Sequence, residues 1–172
     1  TAVHTGKQKR GLRGGGEIQH TGHRGNPRMH RVLHGLAEIG VEAEIVSYDW
    51  GTYLDKVDAG EHMMGMLGWT GDNGDPDNFL FVLLSETAAD AGGNIAFWRN
   101  DEFNELIIEA KETFDMDVRT ENYEEAQLIF KEEAPWVTLA HSVVTVPVRT
   151  NVENFVIYPT GKRVFQRVWL DN

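Results

Sequence analysis

The stretch that decides how this chain folds is Gly68-Trp69-Thr70-Gly71-Asp72-Asn73-Gly74-Asp75-Pro76-Asp77-Asn78-Phe79. It overlaps the end of a compact apolar run, 62–69, which is typical of a buried strand. Three carboxylates follow within six residues, and the glycines among them permit a ligand to approach the backbone closely. Because open α/β sheets bind ligands at the carboxyl ends of their strands, this loop is the candidate binding site.

Residue chemistry alone leaves three interpretations of these carboxylates open. In the first, Asp75 and Asp77 only shape a turn and cap a helix that begins near Asn78. In the second, the three aspartates hold a cation, although their spacing lacks the ligand positions of a calcium loop. In the third, Asp72 binds a cationic group such as an ammonium, and partial desolvation by Trp69 strengthens that pair.

The pattern of apolar residues around the loop predicts an alternation of helices and strands. Helices are predicted over 28–39, 50–59, 79–84, 101–114 and 118–133. Strands are predicted over 41–48, 62–69, 136–141, 143–148, 154–158 and 163–169. Asp117 is the expected N-cap of the last helix, Pro135 is its expected terminator, and 85–95 is expected to be a loop. This order indicates an α/β or α+β lobe.

Composition limits the function of the chain. Its 172 residues suggest about one domain, and 41% hydrophobic residues suffice for a core. A net charge of −11 repels phosphate, so general nucleic-acid binding is not expected. The absence of cysteine excludes disulfides, thiolate metal sites and cysteine nucleophiles. No run of the sequence approaches the ~20 apolar residues of a membrane span.

Residues 1–35 differ in composition from residues 36–172. They hold seven of the 16 basic residues, one acidic residue and five of the seven histidines. Almost no aliphatic side chain precedes Val32, so we expect a leader that is disordered or frameshifted rather than a basic arm for nucleic acid. The structured part of the chain is then expected to be 36–172.

Residues 66–80, from Met66 to Leu80, resemble a motif of periplasmic dipeptide-binding proteins. These are the solute-binding proteins of ABC importers, in the peptide/nickel class. Weaker matches flank it: Ile39-Gly40-Val41, the strand and W-x-x-Y helix over 44–54, Tyr123-Glu124-Glu125-Ala126-Gln127, Ala134-Pro135-Trp136-Val137, Ala140-His141-Ser142 and the end from Val148-Arg149 to Pro159-Thr160-Gly161-Lys162. The resemblance covers roughly 36–172. It implies the C-terminal lobe of a two-lobed, type II-like periplasmic-binding-protein fold, with a mixed sheet and flanking helices.

The resemblance also implies a function and a site. Asp72 would pair with the α-ammonium of a short peptide, Trp69 would form an apolar wall, and Gly68, Thr70 and Gly71 would supply close backbone contacts. The expected partners are short peptides, the membrane subunits of an ABC permease and an N-terminal lobe absent from this sequence. The expected location is the periplasm, with no cofactor, no metal and no catalytic residue. Whether the solute is a dipeptide, an oligopeptide, haem or a nickel chelate stays open.

Other candidate residues have weaker support in the sequence. Either Arg24 or Arg28 could correspond to the family arginine that receives the peptide carboxylate, and neither is assigned. Ser142 follows His141 but lacks the context of a nucleophile elbow, and His141 is expected to be a structural histidine. The alternative function is a non-catalytic cation-binding or interaction module that uses the acidic loop 72–77.

Overall fold

The computed structural model describes residues 2–5, 16–21 and 27–171, and the side chains of residues 29–171. The helices in these ranges are α1 (Pro27–Glu38), α2 (Trp50–Asp58), α3 (Asp77–Leu84), α4 (Glu86–Ala91), α5 (Asp101–Glu112) and α6 (Met116–Glu133). The strands are β1 (Ala2–Thr5), β2 (Gly16–Thr21), β3 (Ala43–Tyr48), β4 (Met64–Leu67), β5 (Trp136–Thr138), β6 (Val152–Glu153) and β7 (Trp169–Leu170). None of these helices combines the length and the apolar character that crossing a membrane requires.

Five strands form one mixed sheet in the order β3-β2-β4-β1-β5. Strand β2 runs parallel to β3 and β4, whereas β1 runs antiparallel to β4 and β5. β6 and β7 form a separate antiparallel pair. The predicted α/β class with a mixed sheet is therefore confirmed.

Strand β4 is buried on both faces, which explains its unbroken apolar sequence. Met64 and Met66 pack with Met29 of α1 on one face. Because successive side chains of a strand point to opposite faces, Leu67 lies on the other face, where it packs against Tyr53 and Val57 of α2. The hydroxyl of Tyr53 in α2 donates to the carbonyl of Met66 at 3.2 Å. The two helices thereby fix the strand that leads into the candidate loop.

Helices α5 and α6 pack against each other along the predicted stripes. Phe103 and Ile107 of α5 share a buried cluster with Tyr123 of α6. The predicted N-cap of α6 is wrong by two residues, because the Asp115 carboxylate accepts the backbone N–H of Asp117 at 2.9 Å and the helix begins at Met116. An Asp at either position fits the composition of a helix start, and the hydrogen bond decides between them.

The predicted loop 85–95 contains a helix, α4. Ser85 caps it by accepting the backbone N–H of Ala88 at 3.0 Å, and Gly92 ends it with a left-handed φ of 92°. The segment has six residues and buries only alanines, so it shows no amphipathic stripe in the sequence.

The predicted strands near the end of the chain are largely wrong. β5 keeps only three residues of 136–141, and 143–148 and 154–158 form no strand. Apolar alternation marks a segment that can pair, and no strand among the described residues pairs with these. Their large apolar side chains, such as Val143 and Val156, are consequently exposed.

Part of the expected leader forms regular secondary structure. Ala2–Thr5 and Gly16–Thr21 are strands of the mixed sheet, and α1 begins at Pro27, while the expectation of a disordered or frameshifted leader over 1–35 stays a prediction. Backbone pairing to β3, β4 and β5 supplies order that a composition poor in aliphatic residues does not suggest. The rest of 1–26 lies outside the described residues, and the boundary at residue 36 stays a prediction.

Candidate functional site

The candidate loop joins an interior strand to a helix. It follows β4, which ends at Leu67 between β2 and β1, and leads into α3 at Asp77. Residues 68–76 therefore begin at the carboxyl end of a strand held on both sides. The loop therefore lies where the sequence predicted it, directly after a buried strand, and its role as a binding site stays a prediction.

An apolar cavity of about 270 Å³ lies beside the start of this loop. Leu67, Gly68 and Trp69 contribute to its wall together with Phe79 and Trp136. The Trp69 side chain is 44% exposed, so part of its ring is open to a ligand. His141 also lines the cavity and is exposed, and its expected structural role stays a prediction.

Asn78 organises the loop from the first turn of α3. Its side-chain carbonyl oxygen accepts the indole N–H of Trp69 at 2.9 Å and the backbone N–H of Asp72 at 3.1 Å. A Cβ atom placed on Gly71 would lie 2.9 Å from the Phe79 ring, so a larger residue there would require that ring to move away from the loop. Sequence reasoning missed Asn78 as a site residue, although it lies within the quoted motif.

Asp75 is held by two sets of bonds. Its carboxylate accepts the backbone N–H of Asp77 at 3.0 Å and both oxygens contact Nη2 of Arg119 at 2.6 Å. Partial desolvation acts to raise the pKa of Asp75, but the hydrogen bond from Asp77 and the charge of Arg119 outweigh it and lower that pKa. The turn interpretation therefore fits Asp75, which also makes an ion pair that the sequence did not predict.

The other two loop aspartates differ from Asp75. The predicted capping role of Asp77 is wrong, because α3 starts at Asp77 with Pro76 at the N-cap and no side-chain cap bond. The carboxylate of Asp72 is exposed and has no hydrogen-bond or ion-pair partner among the described residues. Oδ1 of Asp77 is buried and also has no hydrogen-bond partner among the described residues, so Asp72 is the exposed carboxylate of the three that has no partner.

A shared cation site would need the Asp75 carboxylate that Arg119 already occupies. Across residues 29–171, no group of three or more histidine, aspartate or glutamate side chains could hold a metal ion.

The structure separates the five predicted ligand residues into two groups. Gly68 and Trp69 line the cavity, whereas Thr70, Gly71 and Asp72 follow on the loop and do not. Thr70 lies near the tail of the chain, where its Cγ2 would be 3.7 Å from a Cβ on Gly161. Of the two candidate arginines, Arg24 lies outside the described residues and the side chain of Arg28 is not described.

Comparisons with known proteins bear on this loop directly. The family model described as "Bacterial extracellular solute-binding proteins, family 5 Middle" matches residues 26–91, which include the whole loop. The dipeptide-binding protein of Escherichia coli is 42% identical over 150 residues, which are 85% of this chain and 28% of that protein. Heme-binding protein A of Haemophilus influenzae is 37% identical over 150 residues, which are 85% of this chain and 27% of that protein.

A solved structure shows the same fold. The ABC transporter-associated periplasmic binding protein DppA from Helicobacter pylori, in complex with the peptide STSA, matches with a TM-score of 0.82 and 37% identity. The match covers 92% of this chain and 31% of that protein. The chain therefore spans less than a third of the length of these relatives.

Proposed function

This chain belongs to the bacterial extracellular solute-binding proteins of family 5, and from that membership we propose that the whole protein captures short peptides for an ABC importer. It would do so in the periplasm, without catalysis, and deliver the peptide to the membrane permease. A relative named for dipeptide binding and a structural neighbour holding the peptide STSA support this choice of solute.

One structural observation carries the proposal. An apolar cavity with an exposed tryptophan on its wall leads into a loop that carries an unpaired carboxylate. A short peptide offers matching chemistry, since it has a cationic amino end, a backbone rich in hydrogen-bonding groups and side chains that gain from leaving water.

We assign roles to the loop residues on this basis. Asp72 is the counter-ion of the peptide α-ammonium, because its carboxylate has no partner of its own among the described residues. Trp69 is the apolar wall beside the first peptide side chain. Gly68, Thr70 and Gly71 supply backbone groups at close range, as strand-like recognition of a peptide requires.

The proposal also needs parts beyond these 172 residues. Closure of a second lobe over the peptide would exclude water, and exclusion of water strengthens the Asp72 ion pair. The chain alone is therefore expected to bind peptides weakly. Affinity is to be measured on the full-length protein that carries this segment.

The experiment is calorimetric titration of that full-length protein and its Asp72→Asn variant with a dipeptide. Losing one member of a desolvated charge pair costs about 2–5 kcal/mol, which is an affinity loss of about thirtyfold or more. The matched control is the N-acetylated dipeptide, which lacks the ammonium. The wild type should discriminate strongly between the two peptides, and the variant should not.

Two results would count against the proposal. An affinity of the Asp72→Asn variant within about twofold of wild type would show that this carboxylate is not the counter-ion. A wild type that ignores peptides but is stabilised by haem or by a divalent cation in a thermal-shift assay would show that the solute class is wrong.

A further inference from the structure

One side-chain oxygen ties together the two residues that the proposed peptide site uses most. Oδ1 of Asn78 accepts from Nε1 of Trp69 at 2.9 Å and from the backbone nitrogen of Asp72 at 3.1 Å. Both partners are N–H donors, so chemistry requires that the carbonyl oxygen, not the amide nitrogen, of Asn78 faces them. A carbonyl oxygen has two lone pairs and can satisfy both.

We propose that Asn78 is a positioning residue of the peptide site, which sets the Trp69 ring and the Asp72 backbone in a fixed relation to each other. This inference rests on the proposed function, since it gives that function a further residue. Asn78 itself need not touch the peptide.

The first bond fixes the Trp69 ring. Indole has a single hydrogen-bond donor, so a bond to that nitrogen holds one edge of the ring and leaves the remaining surface for a ligand. Without it, a side chain that is 44% exposed would be free to move among rotamers. The apolar wall of the cavity would then lose its fixed shape.

The second bond fixes the chain at Asp72. The backbone nitrogen of Asp72 donates to the side chain of Asn78, six residues later in the sequence, and this bond spans the glycine-containing loop. Anchoring the backbone limits where the Asp72 carboxylate can reach, and a charge held in place loses less entropy on pairing than one on a mobile loop.

Asn78 can play this part because its own position is fixed. Its backbone nitrogen donates to the carbonyl of Asp75 at 3.2 Å at the start of α3. Asp75 is in turn held by the two 2.6 Å contacts from Arg119 of α6. The acceptor oxygen of Asn78 therefore lies on α3, and the contacts between Arg119 and Asp75 anchor the start of α3 to α6.

The loop offers a matched control in Asn73. Its side-chain oxygen also accepts a loop backbone N–H, that of Asp75 at 3.0 Å, but it bonds neither Trp69 nor the Asp72 nitrogen. Asn73→Ala removes a loop hydrogen bond of the same kind without touching the proposed positioning contacts. Asn78→Asp is the conservative variant, because a carboxylate oxygen can accept both N–H groups.

The first measurement is the ¹⁵N–¹H spectrum of the indole groups in the 172-residue chain, with Trp69 assigned through a Trp69→Phe variant. Asn78→Ala should shift the Trp69 indole signal and speed its exchange with solvent about tenfold, as expected for loss of a protecting hydrogen bond. Asn78→Asp and Asn73→Ala should preserve it. The other indoles are internal controls: Trp50, Trp98, Trp136 and Trp169.

The second measurement is dipeptide affinity of the full-length protein by calorimetry. Asn78→Ala should weaken binding about tenfold, from two lost hydrogen bonds, and reduce discrimination against the N-acetylated peptide. Asn78→Asp should stay within about threefold of wild type and Asn73→Ala within about twofold. Melting temperatures measured alongside separate a folding defect from a positioning defect.

The outcomes are distinct. Wild-type affinity in Asn78→Ala, or an equal loss in Asn73→Ala, would overturn the positioning role while leaving peptide binding intact. A Trp69 signal unmoved by Asn78→Ala would overturn it as well. A wild type that binds no peptide would instead refute the proposed function. Loss in Asn78→Ala with recovery in Asn78→Asp supports the inference.

Discussion

The ion pair between Asp75 and Arg119 determines how firmly the loop is attached to the rest of the fold. We expect Arg119→Met to destabilise the protein. Nη2 of Arg119 contacts both Asp75 oxygens at 2.6 Å, and Nη1 donates to the carbonyl of Ala110 at 2.5 Å. Methionine keeps much of the side-chain stem and removes all of these bonds.

The magnitude follows from burial. The Arg119 side chain is 17% exposed and that of Asp75 is 38% exposed. Fully exposed pairs contribute about 0–1 kcal/mol, and breaking a fully buried pair costs about 3–5 kcal/mol. The half-buried pair lies between these limits, so we expect a loss of about 2 kcal/mol. In a chain of this length that lowers the melting temperature by about 4–8 °C.

The assay is urea denaturation of the 172-residue chain, with Arg99→Met as the matched control. Arg99 pairs with Asp90 at 2.5 Å, but their side chains are 47% and 75% exposed. We expect the free energy of unfolding of Arg99→Met to fall by less than about 0.5 kcal/mol. Equal losses in the two variants, or a loss below about 0.5 kcal/mol in Arg119→Met, would refute the reasoning from burial.

The pH dependence gives the same prediction a second readout. The pKa of Asp75 is lowered from its ordinary value of 3.8, so the unfolded chain takes up this proton at a higher pH than the folded one. The contribution of the pair is therefore fully present above pH 3.8 and is lost as the pH falls through the lowered folded-state pKa. The difference between wild type and Arg119→Met should shrink only below 3.8.

Two further predictions concern the packing of the lobe. Gly93→Ala should cost about 1–3 kcal/mol in urea denaturation, because its Cβ would lie 2.4 Å from the carbonyl oxygen of Val82, whereas Gly35→Ala in α1 meets nothing within 4 Å and should stabilise by about 0.5–1 kcal/mol. Burial lowers the pKa of His62 from 6.5, so stability should be full above pH 6.5 and fall as the folded-state pKa is approached from above. His62→Leu should remove the pH dependence of the urea midpoint in that window. A Gly93→Ala variant no less stable than Gly35→Ala, or a His62→Leu variant that keeps the wild-type pH dependence, contradicts the packing described.

The elements that the sequence predicts well are those whose own residues carry the signal. The helices around Phe103 and Tyr123 show apolar stripes, and the stripes meet as expected. The motif at 68–79 predicted the family, and the type II-like fold is confirmed by the match to the peptide-bound neighbour, whereas the ligand role of the loop stays a prediction.

What the sequence did not predict depends on partners far along the chain. Asp75 and Arg119 are 44 residues apart, and no local pattern connects them. The strand Ala2–Thr5 lies in a polar, basic stretch and gains its order from pairing to β4 and β5. Conversely, 143–148 has the alternation of a strand and lacks a pairing strand among the described residues. Pairing is a property of two segments, and a single segment does not report it.

The place of β1 inside the mixed sheet has a kinetic consequence. Ala2 pairs with Leu67 on one side and with Thr138 on the other, so the earliest described residues bridge β4 and a strand that follows α6. Such pairings have a high contact order, and forming them requires closure of very long loops. During synthesis β1 can pair with β5 only after β5 has left the ribosome. We therefore expect the packed pair of helices α5 and α6 to form early and the sheet to be completed in a slow, late step.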